Sequence, residues 1–289
     1  MLSLNQQLRI RRMRHGDIPF AIRLTNLEGW GITESDFERI IRLDPTGSFV
    51  ADLGKRRVGM ATTTSYGSEV AWIGNVVVEE LVRGRHIGQQ LVQQAVVYLR
   101  ASGIRKIALY CMWKNAPFYE KLGFIRDGRF LRLRRSTPSY KPRPEHNQRR
   151  GSSSSHLSRM LSVDKRTFGA DRSKLLRYLL NDNRYGELYH SNDRSFLVVK
   201  TYHDISEFGP WVGTASFDSD DRNLIRRVTS EYRDKPIELS CLGSNRKVLN
   251  ALQKQGFSVA NVGYRMGYMR KLNIGNDRYN FLLGFLDKG

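Results

Sequence analysis

Residues 83–88, Arg83-Gly84-Arg85-His86-Ile87-Gly88, place two guanidinium groups and two glycines in one short stretch. The β-branched run Val76-Val77-Val78 precedes them, and the helix-forming run Gln89-Gln90-Leu91 follows. That order builds a strand, a tight turn and the start of a helix. A helix start presents unpaired N–H groups and the positive end of the helix dipole, which together hold a phosphate. Gly84 and Gly88 let the backbone approach an anion closely, and Arg83 and Arg85 add formal charge. The stretch lacks the Gly-Lys-Ser/Thr ending of a Walker loop and the three glycines of the dinucleotide fingerprint. On its own it also fits an ordinary strand-to-helix connection. Other reactive side chains point to less. Cys111 has no histidine arranged beside it and suits a small buried residue. The six histidines (His15, His86, His146, His156, His190 and His203) lack metal-ligand spacing, so no metal is expected.

The patterning around the turn predicts the elements that must position it. Leu8–Met13 alternates as a half-buried strand does. Asp17 is predicted to cap a helix through Phe20, Ile22 and Leu24, which Gly29-Trp30-Gly31 breaks. Thr33 caps a second helix, with Asp36 as its capping-box carboxylate. Strands are predicted at Ser48–Asp52, Val58–Tyr66 and Val70–Val78, then a helix over Gly88–Ala101. A strand over Lys106–Cys111, a short helix over Ala116–Leu122 stopped by Gly123, and a strand over Phe124–Leu133 complete the first half. In the second, helices are predicted at Asp171–Leu180, Asp220–Tyr232 and Arg246–Gln255. Strands are predicted near Gly186–His190, Phe196–Thr201 and Ile237–Cys241. The halves echo each other. Lys106-Ile107-Ala108-Leu109-Tyr110-Cys111 parallels Pro236-Ile237-Glu238-Leu239-Ser240-Cys241, and Glu120-Lys121-Leu122-Gly123-Phe124 parallels Gln253-Lys254-Gln255-Gly256-Phe257.

A chain of 289 residues suits two domains, and 40% hydrophobic with 26% charged residues is globular composition. Periodicity lapses from Arg134 to Ser155, where Pro138, Pro142, Pro144 and the Ser152–Ser155 run mark a linker. The expected organisation is a domain over 1–135, a basic, Ser-rich linker over 136–155 and a second domain over 156–289. The net charge of +20 is spread over both halves and is densest between Arg132 and Arg150. Such charge attracts polyanions, nucleic acid among them, although no aromatic stacking platform is interleaved with it. No apolar run reaches the length of a membrane span, residues 1–14 lack a signal-peptide core, and two cysteines make no disulfide framework. A cytoplasmic setting is the expectation.

The turn and the later Ala116-Pro117-Phe118-Tyr119-Glu120-Lys121-Leu122-Gly123-Phe124, about 30 residues on, together resemble the GNAT superfamily of N-acetyltransferases. Arg83-Gly84-Arg85-His86-Ile87-Gly88 fills the frame of that family's acetyl-CoA loop, with His86 where the family usually has its first glycine. The likeness covers residues from about 8 to 133. The second half resembles the degenerate GNAT-like domain of tandem acetyltransferases through Phe168-Gly169-Ala170-Asp171-Arg172, Phe208-Gly209-Pro210-Trp211-Val212, Gly256-Phe257, Tyr264-Arg265-Met266 and Gly284-Phe285-Leu286-Asp287-Lys288-Gly289. It has no Arg-Gly-x-x-x-Gly loop and is expected to lack a cofactor. The fold class implied is α/β, a mixed sheet flanked by helices, as two GNAT-like domains in tandem.

The resemblance implies acetyl transfer from acetyl-CoA, without a metal, directly to a primary amine. Backbone groups of Val76 and Val78 would hold the thioester region. Those of Arg83, Gly84, Arg85, His86, Ile87, Gly88 and Gln89 would hold the pyrophosphate. Tyr119 matches the tyrosine that protonates the departing CoA thiolate, and a phenol keeps its proton at neutral pH. Met112 stands where many relatives have an asparagine. No carboxylate lies within Ala71–Val78 to act as base, which leaves Glu28, Glu34, Asp36, Glu79 or a water relay. Trp30, Asp36 and Trp72 are candidates for an acceptor pocket. Trp211, with Phe208 and Pro210, is expected to pack one half on the other. The acceptor is read as a small-molecule amine, with a protein or peptide amine as the second enzymatic reading. The alternative of another class is a non-catalytic module that binds nucleic acid or another polyanion.

Overall fold

The computed structural model describes residues 7–137, 154–181, 186–202 and 204–289. Most of the expected linker, with its prolines, lies outside these residues. The first half contains β1 (Leu8–Arg12), α1 (Ile18–Leu27), α2 (Glu34–Leu43), β2 (Phe49–Leu53), β3 (Arg56–Tyr66), β4 (Val70–Val78), α3 (Ile87–Ala101), β5 (Lys106–Met112), α4 (Ala116–Glu120) and β6 (Phe124–Arg135). The second contains α5 (Ser154–Phe168), α6 (Ser173–Asn181), β7 (Gly186–Ser191), β8 (Ser195–Thr201), β9 (Ser206–Gly213), α7 (Ser219–Glu231), β10 (Ile237–Leu242), α8 (Arg246–Gln253), β11 (Ser258–Tyr268) and β12 (Asn280–Leu282).

Local chemistry explains most of these boundaries. Thr33 Oγ1 accepts from Asp36 N while Asp36 accepts from Thr33 N, so a capping box opens α2. Asp218 and Asp221 do the same for α7. Asp17 behaves differently from the expectation. A single 3-10 turn, His15–Asp17, precedes α1, and Asp17 spends its carboxylate on Arg14 N and on the Arg11 guanidinium rather than on capping α1. Four elements were not anticipated: α5, β9, β11 and β12. The opening residues of β11 are exposed, and β9 contains a proline and two glycines, so neither shows the alternation of a half-buried strand.

The strands join into one mixed sheet, in the order β1-β2-β3-β4-β5-β11-β6-β10-β9-β8-β7, with β12 beside β9. The halves are interlocked. β11 of the second half lies between β5 and β6 of the first, and β6 lies between β11 and β10 of the second. Read from either end, the sheet repeats itself, which gives structural form to the sequence echo. In each half a parallel pair forms only briefly. β4 and β5 pair from Val70/Lys106 to Trp72/Ala108 and then diverge; β9 and β10 pair from Ser206/Ile237 to Phe208/Leu239. In the second half β12 pairs with β9 beyond that point, and Leu283 N donates to Ser240 O on β10, so the chain itself fills the gap.

α3 packs on the first half of the sheet through Ile87, Leu91, Ala95 and Leu99, which share one helical face and are buried. Truncating Leu91 to alanine would cost about 2–5 kcal/mol. Trp211 is a correction to the expected domain contact. It is fully buried but packs edge-on to Phe217 and Phe281, inside the second half. Phe208 joins the same cluster, against Tyr232.

Candidate active site

The divergence of β4 from β5 leaves the edge of β4 from Ile73 to Val78 without a ladder partner on that side among the described residues. Within this free stretch β4 carries a bulge. Met60 pairs with Val77 and Thr62 with Gly74, so Asn75 and Val76 together oppose Ala61. Asn75 sits at φ +49°, a left-handed conformation that asparagine tolerates better than most residues. Its amide donates to Thr62 Oγ1 at 3.1 Å and to Asp287 Oδ2 at 3.2 Å. Past the bulge, Val76 and Val78 are half-buried against the α3 cluster. Asn75 was not singled out from the sequence. The available signal was a lone amide, next to a glycine, inside an apolar β-branched strand.

The turn into α3 passes through a 3-10 segment, Glu80–Val82, that Val82 anchors in the core. Gly84 then takes φ +81° and His86 φ +59°. His86 therefore supplies the left-handed step itself, with its ring Nδ1 3.1 Å from Gln89 Oε1. The first helical bond runs from Gln90 N to His86 O, which leaves the N–H groups of Ile87, Gly88 and Gln89 without helical acceptors. A Cβ added at Gly88 would touch Phe118 and Val78 at ordinary contact distance, so a larger side chain there would crowd both. Arg83 does not stand free. Its Nε donates to Val78 O at 3.0 Å and its guanidinium pairs with Glu28 at the end of α1. Arg85 is exposed at the mouth of the turn. The result is a positive, amide-rich cradle at one end of the β4–β5 opening.

Tyr119 forms part of the other wall. It lies on α4, which follows β5, and is buried in the cluster that includes Ile87 and Leu91, with Val76 and Val78 packed against it. Its ring is edge-on to Phe118 and Phe124, with centroids 4.9 and 5.9 Å away. Burial pushes its phenol above the usual range, so it carries its proton at neutral pH. Cys111 is also buried, its thiol pushed up to about 12 by burial, which leaves no thiolate nucleophile there.

The other candidates are placed as follows. Trp30 is exposed in the loop between α1 and α2, whereas Trp72 is buried and stacked on Tyr110 at 4.6 Å. Asp36 is buried and engaged on both oxygens, by Arg39 at 2.6 Å and by Thr33 N and Oγ1 at 3.0 and 2.7 Å. Burial alone would raise its carboxyl. The charges of Lys288 and Arg39 and the bonds from Thr33 outweigh that and hold it below the usual range. Glu28 and Glu79 are tied to Arg83 and Arg56. Two histidines that are far apart in sequence do meet: His156 and His190 stack at 4.1 Å, and both face Asp193 Oδ1, at 3.3 and 3.6 Å. These distances describe a pair of imidazoles sharing one carboxylate.

The sequence model of the acetyltransferase (GNAT) family matches residues 20–124, which contain the bulge, the cradle and Tyr119. This segment is a GNAT acetyltransferase domain. A glucosamine 6-phosphate N-acetyltransferase of Trypanosoma brucei brucei is 39% identical over 70 residues, covering 24% of this chain and 48% of that protein. An uncharacterized N-acetyltransferase of Porphyra purpurea is 36% identical over 76 residues, covering 26% of this chain and 44% of that one. The chain thus spans about half the length, or slightly less, of the curated relatives it matches. Whole-chain likeness comes from solved structures. A protein of Pyrococcus horikoshii, named provisionally as an acetyltransferase, has a TM-score of 0.80 at 20% identity, covering 100% of this chain and 99% of that one. A tandem GNAT protein from the clavulanic acid biosynthesis pathway has a TM-score of 0.67 at 14% identity, covering 90% and 98%. The chain as a whole therefore has a tandem GNAT fold. No helix among the described residues is long and apolar enough to cross a membrane.

Proposed function

We propose that the chain is an N-acetyltransferase that moves an acetyl group from acetyl-CoA to a primary amine by direct transfer. The observation that carries this reading is the β4–β5 opening, which has three free helix N–H groups at one end and a protonated, buried Tyr119 on its wall. Ile87, Gly88 and Gln89, with the backbone of Arg83, Gly84, Arg85 and His86, would hold the pyrophosphate. The free edge at Val76 and Val78 would hold the pantetheine arm and the thioester. Acetyl-CoA supplies the acetyl thioester and a thiolate leaving group. Tyr119 would give its proton to that sulfur, and the amides of the bulge would stabilise charge on the thioester oxygen.

The domain organisation that fits this reading is a catalytic half, 1–135, and a degenerate half, 156–289, that closes the acceptor side. A small-molecule amine is the favoured acceptor, and the name of the Trypanosoma relative supports a small-molecule substrate. Calorimetric titration of the full chain with acetyl-CoA, followed by a free-thiol assay over a panel of amines, tests the proposal. Binding and amine-dependent thiol release are expected; binding to neither acetyl-CoA nor CoA would overturn it.

A further inference from the structure

The segment after β12 crosses from the second half to the candidate active site. Gly284 O accepts from the buried Lys200 Nζ at 2.8 Å, and Phe285 lies under the ammonium groups of Lys200 and Lys288. Tyr66 Oη donates to Lys288 O at 2.6 Å, and Arg172 donates to Gly289 O at 2.6 Å. Asp287 is pressed against β4 so closely that any Cβ at Gly74 would collide with its backbone. Gly74 is thus a glycine because a distant strand of chain lies across it.

This seating brings one carboxylate to the bulge. Asp287 Oδ2 accepts from Asn75 Nδ2 and from Lys288 Nζ, the latter at 2.5 Å. Both bonds fall on Oδ2, and among the described residues no hydrogen bond is made to Oδ1. Gly74 and Trp72 face the α5/α6 side of β4, while Ile73, Val76 and Val78 face α3. Asp287 therefore meets the bulge from the face opposite the phosphate cradle. Two substrates that react at one point must reach it from different directions, and the cradle assigns the α3 side to the coenzyme.

We infer that Asp287 is the carboxylate that receives the acceptor amine, a catalytic group supplied to the first half by the far end of the chain. The inference rests on the acetyl-transfer reading. In the reaction, the acceptor's ammonium gives one proton to Asp287. The freed nitrogen attacks the thioester carbon, the N–C bond forms and the C–S bond breaks. The sulfur takes the proton of Tyr119, and the second proton of the nitrogen restores the phenol through solvent. The substrate class that follows is a primary alkylamine, cationic in solution. Charged and titratable groups around Asp287 are Lys288, Lys200, Tyr66 and Tyr202; Arg172 and Asp164 face Tyr66, Glu207 faces Lys200 and Tyr202, and Lys288 in turn faces Asp36.

The test compares Asp287→Asn and Asp287→Glu with the unsubstituted full chain. The readouts are acetyl-CoA affinity by calorimetry, Tm, and the pH profile of kcat/KM for the best amine of the panel. The expected result for Asp287→Asn is a fall on the order of 100-fold in kcat/KM for the amine. Its acetyl-CoA affinity should stay within about twofold, its Tm should be similar, and the acid limb of the profile should disappear, with partial recovery in Asp287→Glu. Activity within about threefold of the parent with an unchanged profile would overturn the inference. So would a loss matched by equal losses of acetyl-CoA affinity and Tm, since that marks a purely structural role. If the unsubstituted chain binds acetyl-CoA but acetylates no amine, the acetyl-transfer reading itself falls, and this inference with it.

Discussion

Tyr119 and Asp36 show how burial alone does not decide what a titratable side chain can do. Tyr119 is surrounded by hydrocarbon, and its phenol is held in the protonated form. Removing only its hydroxyl, in Tyr119→Phe, keeps the packing against Phe118 and Phe124. The expected outcome is a kcat lower by about 100-fold with little change in the KM for acetyl-CoA, measured by steady-state kinetics. Asp36 is as buried, but Arg39, Lys288 and Thr33 favour its charged form. Its folded pKa lies below the unfolded value of about 3.9. Its contribution to stability is therefore complete above about pH 4 and is lost as the pH falls through the folded value. Asp36→Asn should cost about 1–2 kcal/mol at pH 7 and flatten that acid-side decline, as read by urea unfolding at neutral and acid pH. Asp36 was legible from the sequence as a capping-box residue because a cap is a contact over three residues. Asn75 was not, since its role depends on a bulge that only the pairing of β3 with β4 reveals.

At the scale of elements, the unit β4–turn–α3 was readable almost residue by residue. A β-branched run, two glycines and a helix-forming run are adjacent in the chain, and their physics is local. The structure adds that His86 adopts the left-handed step where the family's glycine stands, which leaves the amides of the first turn of α3 unpaired. A negative charge at that point would neutralise the positive end of the dipole and repel the arriving phosphates. Gly88→Asp is expected to weaken acetyl-CoA binding by about tenfold or more, as read by calorimetry, and most strongly at low salt. Its side chain would also crowd Phe118, so the Tm should drop slightly. β11 and β12 are the opposite case. Their sequences carry little alternation, and they become strands because edges contributed by β5, β6 and β9 accept them. No pattern confined to their own residues encodes that.

For the whole molecule, the exchange of β6 and β11 matters more than either half. The strand order β5-β11-β6-β10 alternates between the halves, so β6 of the first half and β11 of the second each complete the partner's sheet. Cutting the chain between the halves would leave β5 and β10 with raw hydrogen-bonding edges and would uncover Leu133, which packs in the second half's core although it comes from the first. Arg132 on β6 also pairs with Glu238 on β10, a partly buried contact across the same seam. Two independently stable domains would unfold separately, whereas interlocked ones share their most buried strands. The expected outcome is a single thermal transition for the full chain, with calorimetric and van't Hoff enthalpies in agreement. Residues 1–137 and 154–289, produced separately, should each fail to give a cooperative transition, and co-expression should restore one. The same interlocking explains why the sequence echo could point to a tandem repeat yet leave the site incomplete. A short repeat shows which segments are alike, but the seam partners of β5, β6 and β10 lie more than 100 residues away, and so does the carboxylate of Asp287 that meets the bulge of β4.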